Sequence, residues 1–348
     1  MSAKPPIRIG MTSNVFGLGS TALAAAHAAH MQGAEFFFFK LDDVDPADES
    51  IGGMFFRDGG WEKRRTAFPD VIDNATLEQL SGQGWDALVR KCRVTTPFLG
   101  GKLAVDRALR ASGKFEELLI PTAKVESPDL LFQEVARFKR VVVKPEFGGL
   151  GRGIIFIAEK DDGYFVNVEG SSKNLARPEL KAFVARRLAA ESHIVQEYVP
   201  SRTARGQPFD VRIHVRRDGN AGWQHVYSYA RLGAGTSIAA NLAKGGALAK
   251  PKHFLKHKYG DGADKVMERL ALVTAQFPPL LQSLYPGRTI PAMGIDVGFD
   301  EQGHPRLFEV NSNPSAEYVP FNDHMWRIGY AIHLVENPGV PDGVIRGD

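Results

Sequence analysis

The sequence predicts a mixed α/β fold of two or three domains. At the N-terminal end, residues 7–11 and 35–39 have the composition of strands, and Ser20 can cap a helix that runs to about Gln32 between them, which makes a βαβ unit. Near the C-terminal end, residues 293–311 alternate apolar and polar positions around a turn, as a β-hairpin with one buried face does. The chain has 348 residues, of which 43% are hydrophobic, so it can bury a substantial core.

Composition and charge exclude several function classes. A single cysteine, Cys92, rules out an intramolecular disulfide and fits a reducing cytosol, so we expect a cytoplasmic protein. The sequence contains no apolar run long enough to span a bilayer. The net charge of +3 is small for this length and gives little support to nucleic-acid binding. We therefore expect neither a membrane span nor a nucleic-acid partner.

Two glycine motifs in the N-terminal third suggest nucleotide sites, but each lacks a residue that its motif requires. After Asn14-Val-Phe-Gly-Leu-Gly-Ser20, Ala22 stands where a dinucleotide-binding fingerprint needs its third glycine, so we expect a tight turn or one side of a substrate cleft. The pair Gly101-Lys102 is similar to the end of a P-loop, but Leu103 replaces the required Ser or Thr. Neither motif is assigned to a nucleotide on its own.

The other N-terminal elements are predicted from local patterns. Residues 52–65 are rich in glycine, charge and aromatic side chains, and we expect an irregular excursion there. Residues 68–73 have the pattern of a short buried strand that closes an N-terminal domain near residue 95. Residues 96–101 are the predicted linker, and a helix begins at Lys102.

A lysine and a glycine-rich loop follow each other in the middle of the chain. Residues 140–145 are predicted as a buried strand that ends in Lys144, and four glycines in the six residues 148–153 separate it from a strand at 154–157. The bare amides of such a loop can wrap a polyanion. A loose hairpin turn is the alternative, but a lysine at the end of an apolar strand favours phosphate binding.

The C-terminal half contains one strand with a charged face and one strongly basic segment. In the strand at 209–215, Asp210, Arg212 and His214 share the face opposite the apolar residues. Residues 250–258 contain two histidines among four lysines, so we expect a solvated basic loop rather than a metal site. The remaining predicted elements are helices at 127–139, 178–190, 264–276 and 321–335 and strands at 193–200 and 221–232.

The predicted hairpin at 293–311 collects oxygen donors. If its loop is residues 301–304, Asp296 lies opposite Glu309, and Asn311 shares a face with Glu309 because strand side chains have a period of two. Two close carboxylates are costly unless a cation neutralises them, and Mg²⁺ prefers oxygen-only ligands together with nucleotide phosphates. A polar face that simply meets water is the alternative. The following Asn-Ser-Asn-Pro segment favours the magnesium nucleotide.

Taken together, these segments resemble the ATP-grasp superfamily, most closely its YheC/YheD-type branch, with RimK-type glutamate ligases as more distant relatives. The resemblance covers about residues 100–335, and it depends on the order and spacing of motifs that are individually weak. The motifs are Lys102, Val-Val-Val-Lys144-Pro, the 148–153 loop, Gln196-Glu-Tyr-Val199, Phe-Asp210-Val-Arg212, Tyr-Ala-Arg231, Ala-Asn241-Leu-Ala-Lys-Gly-Gly246, Gly-Ile-Asp296 and Phe-Glu309-Val-Asn311.

The resemblance implies an ATP-grasp fold, in which two α+β subdomains clamp ATP behind an N-terminal βαβ pre-ATP-grasp domain. The expected domains are residues 1–98, the central subdomain at 99–195 and the C-terminal subdomain at 196–348. It also implies that two Mg²⁺ ions, for which Mn²⁺ can substitute, are held by Asp296, Glu309 and Asn311. Arg212, Arg231 and Asn241 are expected to face the transferring phosphoryl group and the acyl oxygen. The nucleotide-binding residues that it implies are Lys102, Lys144, Gly148, Gly149, Gly151, Arg152, Gly153, Gln196, Glu197, Tyr198, Val199 and Asp210.

The expected activity is that of an ATP-dependent carboxylate–amine ligase, which forms an acyl phosphate and releases ADP and phosphate. Its partners are a small-molecule or peptide carboxylate and an amine, and the sequence allows a homodimer. A small-molecule kinase on the same scaffold is one alternative, and a non-catalytic nucleotide-binding envelope or structural protein is another. The sequence leaves open the acid, the amine, the oligomeric state, the pathway and the roles of Arg152, His214, Lys244 and residues 250–258.

Overall fold

The computed structural model describes residues 5–12, 19–74, 81–149, 151–234, 238, 240, 245–314 and 321–344. Within these ranges the chain forms three sheets in sequence order, each with helices packed against it. This mixture of helix and strand confirms the predicted fold class. The predicted domain boundaries themselves stay a prediction.

The first sheet begins with the predicted βαβ unit. Its strand order is β3-β4-β2-β1-β6-β7, with β5 beside β4, and β1 runs parallel to both β2 and β6. Since the chain adds β2 on one side of β1 and β6 on the other, the strand order reverses between β1 and β6. The elements are β1 (Arg8–Thr12), α1 (Gly19–Met31), β2 (Glu35–Phe39), β3 (Val44–Asp45), β4 (Ser50–Arg57), β5 (Gly60–Ala67), β6 (Val71–Asn74), α2 (Gln83–Lys91) and β7 (Arg93–Val94).

The irregular excursion predicted at residues 52–65 is wrong, because β4 and β5 form a regular antiparallel hairpin there. Asp58 and Gly59 make its two-residue turn, with φ angles of 49° and 82°. Such Asp-Gly turns match the right-handed twist of the flanking strands. The charged residues of β5 are exposed because this strand lies at the edge of the sheet, so β5 lacks the apolar alternation that would have indicated a strand.

The second sheet is antiparallel throughout, in the order β12-β11-β10-β9-β13-β8. Helix α4 begins as predicted, because the Ser127 hydroxyl accepts a hydrogen bond from the Leu130 amide at 3.2 Å and Pro128 occupies the first turn. The elements are α3 (Lys102–Ala111), β8 (Thr122–Lys124), α4 (Pro128–Phe138), β9 (Arg140–Pro145), β10 (Ile155–Lys160), β11 (Gly163–Val168), β12 (Ser171–Leu175), α5 (Arg177–Ala190) and β13 (His193–Glu197).

The third sheet has the order β16-β15-β14-β17-β18, and all its strand pairs are antiparallel. Helix α7 covers one face, where Val211, Ile213, Ile295 and Val297 pack against Phe277 in one buried cluster. The elements are β14 (Phe209–Arg217), β15 (Trp223–Leu232), β16 (Ala247–Ala249), α6 (Pro251–Tyr259), α7 (Ala263–Ser283), β17 (Ala292–Phe299), β18 (Pro305–Asn311) and α8 (Phe321–Glu336).

Two predictions for this region are wrong. The segment expected to be a solvated basic loop is helix α6, which Pro251 opens and which buries Leu255 while its lysines stay largely outside. Helix α7 does not end at residue 276 but continues through Pro278 and Pro279 to Ser283. A proline pair usually ends a helix, but Phe277, Pro278 and Leu281 are buried in the core, so packing outweighs the local preference.

Helix α8 links the two ends of the chain. Its residues Ile328 and Ala331 belong to the buried cluster formed by α1, Ile9 and Met11. It also packs against β14 and β6. A helix from the predicted C-terminal subdomain therefore completes the core of the first sheet and brings that sheet next to the third.

The packing of α7 generates a stability prediction. Phe277 is fully buried and its ring centroid lies 5.9 Å from that of Phe115. Phe277→Ala leaves a cavity and should lower the free energy of unfolding by about 3–5 kcal/mol in urea titrations followed by circular dichroism. The control Leu272→Ala, on the same helix but 53% exposed, should change it by less than about 0.5 kcal/mol. Equal losses from the two variants would contradict the placement of this core.

Candidate active site

Lys144 lies where the second and third sheets meet. It stands near the end of β9, and its Nζ donates a hydrogen bond to the Phe308 carbonyl oxygen in β18 at 2.9 Å. The residue is only 9% exposed. Burial lowers the pKa of Lys144 to about 8, while the Glu309 carboxylate opposes this effect and the charge of Lys102 adds to it. A buried lysine between two sheets is a site that an anion would stabilise.

Lys102 joins this group from the first position of α3. Its Nζ donates a hydrogen bond to the Gly148 carbonyl oxygen at 2.7 Å and lies 3.6 Å from Glu309 Oε1. The two lysines predicted to bind phosphate therefore converge on Glu309, although they are far apart in sequence. Three separate elements, α3, β9 and β18, supply this group.

The glycine-rich loop connects β9 to β10 as predicted, and Leu150 within it lies outside the described residues. Gly148, Gly151 and Gly153 have φ angles of 101°, 65° and 71°, a region that favours glycine. A Cβ atom on Gly148 or Gly149 would meet nothing within 4 Å, so this part of the loop borders open space. Arg152 is described, but its assignment to the nucleotide stays a prediction.

The segment predicted to hold adenine, Gln196 to Val199, forms the end of β13 and the residues after it. Gln196 is buried and its Nε2 donates a hydrogen bond to Thr122 Oγ1 at 2.8 Å. The amides of Glu197 and Tyr198 bond to the carbonyls of Pro121 and Arg140 at 3.1 and 3.0 Å. These two amides are already used inside the protein, so an adenine contact from Glu197 or Tyr198 would have to come from their carbonyls or side chains.

Two aspartates and two arginines form a buried quartet across β14, β15 and β17. Strand register places Arg212 opposite Asp296 and Asp210 opposite Arg231. Arg212 makes a two-point ion pair with Asp296, and its second contact, from Nη2 to Oδ2, is 2.8 Å long. Arg231 makes a two-point pair with Asp210 at 2.6 and 2.8 Å and also reaches Asp296 Oδ2 at 2.9 Å. All four side chains are locked into one geometry.

Charges within this quartet set its protonation. Burial raises the pKa of Asp210 to about 6, against the effect of Arg231. Burial would also raise the pKa of Asp296, but Arg212 and Arg231 together hold that pKa below its ordinary value. Asp296 is thus the more acidic of the two carboxyls, and both guanidinium groups contact it.

Gly294 makes room for this arrangement. A Cβ atom there would lie 3.0 Å from Arg212 Nη1 and 2.9 Å from Pro314 Cβ. Any larger residue would push the arginine away from Asp296. Sequence reasoning passed over this glycine, although a glycine inside an apolar strand often marks such a close approach.

The oxygen donors of the hairpin lie where their register was predicted. Asp296 is opposite Glu309, and Asn311 is opposite Gly294 on the same strand as Glu309. An ionised carboxylate has about four lone-pair positions. The two arginines use three on Asp296, namely one on Oδ1 and two on Oδ2, which leaves one position on Oδ1.

The chemical type of these donors fits Mg²⁺, because two carboxylates and an amide supply hard oxygen ligands. Glu309 is more accessible than Asp296, because their side chains are 24% and 7% exposed. Among the described residues, no three side chains of Asp, Glu, His or Cys form a metal-binding group. A metal here would therefore depend on Asn311, and the assignment of all three ligands stays a prediction.

Two residues named by sequence reasoning, Asn241 and Lys244, lie outside the described residues.

Sequence reasoning also missed a second group of buried charges, which we call the α8 polar cluster. One signal could have revealed it: Asp323, His324 and Arg327 are polar residues within the first two turns of a helix whose following residues are mostly apolar. The cluster consists of Asp73, His214, Arg216, Asp323, His324 and Arg327.

The family comparison covers the segments that form this site. Residues 91–325 match the family described as "YheC/D like ATP-grasp", which is more than half of the chain. The chain belongs to the YheC/D-like ATP-grasp family. The match includes the converging lysines, the glycine-rich loop, the quartet and the hairpin.

Individual proteins are similar at lower levels of identity. The endospore coat-associated protein YheD of Bacillus subtilis (strain 168) is 23% identical over 296 residues. The match covers 80% of this chain but only 64% of YheD, so the chain spans less than two thirds of that relative.

Two solved structures show the same fold. N5-carboxyaminoimidazole synthetase from Staphylococcus aureus complexed with ADP has a TM-score of 0.55 at 13% identity, and the match covers 93% of this chain and 77% of that one. A RimK domain protein of the ATP-grasp type from Sphaerobacter thermophilus DSM 20745 has a TM-score of 0.53 at 13% identity, with 94% and 98% covered. Within the described ranges, no helix combines the length and apolar character needed to cross a membrane.

The environment of Lys144 can be measured directly. Reductive methylation with ¹³C-formaldehyde gives each lysine an NMR signal, and the signal absent from Lys144→Arg identifies this residue. We expect that signal to titrate with a midpoint near pH 8, because burial lowers the pKa of Lys144 from the ordinary lysine value of 10.5. A midpoint at the ordinary value would show that Lys144 is solvated and is not packed between the sheets.

Proposed function

We propose that this protein is an ATP-dependent carboxylate–amine ligase that works through an acyl phosphate and releases ADP and phosphate. The observation that carries the proposal is the convergence of Lys102 and Lys144 on Glu309 at the junction of two sheets. Membership of an ATP-grasp family supports ATP as the nucleotide.

In this proposal, Lys102 and Lys144 bind the phosphates of ATP. Both have a polar contact that a phosphate oxygen can replace, namely the carbonyls of Gly148 and Phe308. A phosphate oxygen carries negative charge, so it attracts an ammonium group more strongly than a neutral carbonyl oxygen does. The glycines of the 148–153 loop then close over the phosphates with their amides, while Gln196 to Val199 and Asp210 complete the nucleotide site.

Asp296, Glu309 and Asn311 would hold two Mg²⁺ ions, which when bound neutralise charge on the β- and γ-phosphates. Side chains of the protein stabilise the rest of the negative charge that develops during the reaction. Arg212 and Arg231 lie beside Asp296 and face the position at which negative charge develops on the transferring phosphoryl group and on the acyl oxygen. Asn241 is proposed for the same role.

The quartet suits this role because its arginines are already oriented. Arg231 is held by Asp210 on one side and by Asp296 on the other, so little reorganisation is needed during reaction. A carboxylate of the substrate attacks the γ-phosphorus, the bond to the β–γ bridging oxygen breaks, and ADP leaves. The amine then attacks the acyl carbon, loses a proton, and displaces inorganic phosphate.

The test is a screen of acids paired with amines for ADP release, followed by mass spectrometry of the products. When the acid carries oxygen-18, one labelled oxygen should appear in inorganic phosphate, because the acyl–oxygen bond breaks in the second step. A stable phosphorylated alcohol would instead identify a kinase. If ATP binds and no acid or hydroxyl compound promotes ADP release, the chain is a binding protein, a role in keeping with the name of the endospore coat-associated relative.

Replacement of Glu309 provides a residue-level prediction. Glu309→Gln removes a charged oxygen ligand but keeps the shape of the side chain, so turnover should fall by about 100-fold or more. The matched control is Glu301→Gln in the exposed loop of the same hairpin, which should leave turnover unchanged. Both are measured as initial rates of ADP release at saturating ATP and Mg²⁺. Near-normal turnover in Glu309→Gln would remove Glu309 from the metal site.

A further inference from the structure

The segment that leads into α3 is bound by side chains from the C-terminal part of the chain. The carbonyl oxygens of residues 97–99, which we call the held linker, accept hydrogen bonds from Ser312, Arg288 and Tyr285 in that order. The bond from Ser312 is 3.2 Å long, and the bond from Tyr285 is 3.1 Å long. Because three successive carbonyls are bound by three different side chains, the held linker is fixed relative to the third sheet and α7.

Ser312 differs from the other two donors because it belongs to the segment that carries the oxygen donors. It directly follows Asn311, the last residue of β18. Its acceptor, Pro97, is buried and has no backbone N–H, so the carbonyl is the one backbone group of that residue that needs a partner. A buried carbonyl without a hydrogen-bond donor is costly. The Ser312 hydroxyl supplies that donor.

Two glycines connect the held linker to Lys102, and their backbone is closely packed. Gly100 has a φ angle of 92°, which favours glycine. A Cβ atom on Gly101 would lie 2.8 Å from Glu146 Cγ and 2.9 Å from Phe147 Cε1, so there is no space for the chain to shift towards the glycine-rich loop. The amide of Lys102 then donates a hydrogen bond to the Glu146 carbonyl oxygen at 3.1 Å. A displacement of the held linker would therefore be passed on to Lys102.

The end of β18 contacts both ends of this path. Glu309 Oε1 lies 3.6 Å from Lys102 Nζ. Ser312, further along the same segment, binds the carbonyl of Pro97, which precedes Lys102 in the chain. The two segments thus run side by side in opposite directions. Together with the covalent chain, these contacts form a closed ring, so the place of Lys102 beside Glu309 is linked to the hydrogen bond of Ser312.

We propose that Ser312 is a positioning residue, which holds the linker so that Lys102 lies beside Glu309 at the phosphate site. The inference rests on the proposed function, in which Lys102 binds a phosphate of ATP, and it adds a residue that acts through this lysine. In this scheme Ser312 contacts neither the nucleotide nor a reacting atom. Loss of its hydroxyl should displace Lys102 and thereby weaken nucleotide binding.

The first measurement needs no nucleotide. Reductive methylation with ¹³C-formaldehyde gives Lys102 an NMR signal, which is identified by its absence from Lys102→Arg. In Ser312→Ala this signal should shift, because Lys102 Nζ changes its position relative to the Glu309 carboxylate. In Ser312→Thr, which keeps a hydroxyl group, the signal should remain close to that of the unaltered protein. An unchanged Lys102 signal in Ser312→Ala overturns the proposal.

The matched control is another serine that donates to a backbone carbonyl. Ser283, the last residue of α7, is exposed and donates a hydrogen bond to the Leu280 carbonyl oxygen at 2.7 Å. Ser283→Ala removes the same chemical group outside the path to Lys102, so it should leave the Lys102 signal unchanged. A shift of equal size in Ser283→Ala and Ser312→Ala would contradict a specific role for Ser312.

A double-mutant cycle tests whether Ser312 acts through the lysine. Calorimetry with a non-hydrolysable ATP analogue and Mg²⁺ gives the Kd of the unaltered protein, Ser312→Ala, Lys102→Ala and the double variant. Ser312→Ala should weaken binding about three- to tenfold, as the loss of one hydrogen bond does. Lys102→Ala should weaken it by about tenfold or more, because a charge-assisted contact to phosphate is lost. In the double variant the serine replacement should add less than about twofold, and a full additional loss there would refute the inference.

The two measurements separate this inference from the proposed function. If Lys102→Ala binds the nucleotide as tightly as the unaltered protein, the phosphate contact in the proposed function is wrong, and the NMR comparison alone decides whether Ser312 positions Lys102. If Lys102→Ala weakens binding and Ser312→Ala does not, the phosphate contact stands and the inference is wrong. A lower stability of Ser312→Ala in urea, without a change in the Lys102 signal or in Kd, would show that the serine supports the fold alone and would also refute the inference.

Discussion

The contact on which the site depends is the ionised Asp296 carboxylate shared by Arg212 and Arg231. Burying two aspartates and two arginines is expensive unless each charge is paired with good geometry. Here every member of the quartet has at least one two-point partner, and Asp296 serves both cations. Removing one member would leave an unpaired buried charge, so the four residues act as one unit and fix the relative positions of β14, β15 and β17.

The apolar core determines where this unit lies. Val211, Ile213 and Val215 face α7, so Asp210, Arg212 and His214 must face the other way. A slip of one residue in strand register would bury the charges against α7 and expose the core, which is why the register of a half-apolar strand is strongly specified. The packing of α7 thus positions the charged face, although no α7 side chain belongs to the site.

The sequence was sufficient to predict an element where the periodicity of apolar residues, or one local signal such as a helix cap, determines the structure. The βαβ unit and the helix start at Ser127 follow from alternation and capping. Asp296 lies opposite Glu309 as predicted, but loop length does not explain this pairing, because Phe299 pairs with Pro305 and a register shift between Asp296 and Val297 restores the expected partner. The β4–β5 hairpin was missed because an edge strand has no buried face to reveal, and α6 was missed because one buried leucine, Leu255, is a weak signal among lysines.

Contacts between distant segments could not be predicted at all from the sequence. Neither the bond from Lys144 to Phe308 nor the ion pair of Arg327 with Asp73 has a local signature, because each depends on how whole sheets pack together. For the same reason, the sequence predicted a helix at 321–335 but not that this helix would cover the first sheet. The sequence predicted that Asp296 lies opposite Glu309, but it did not predict that two arginines form ion pairs with Asp296.

The ion pairs of Asp296 with these arginines change the conditions under which a metal ion can bind to the oxygen donors. Asp296 was expected to be an acid in need of a cation, yet within the described structure two guanidinium groups already supply positive charge. A divalent ion would have to share Asp296 with Arg212 and Arg231, which repel it, unless an anion enters at the same time. A triphosphate provides that anion, because it can interact with the arginines, Lys102 and Lys144 together. Metal and nucleotide are therefore expected to bind as one complex, since each removes the electrostatic cost of placing the other beside the quartet.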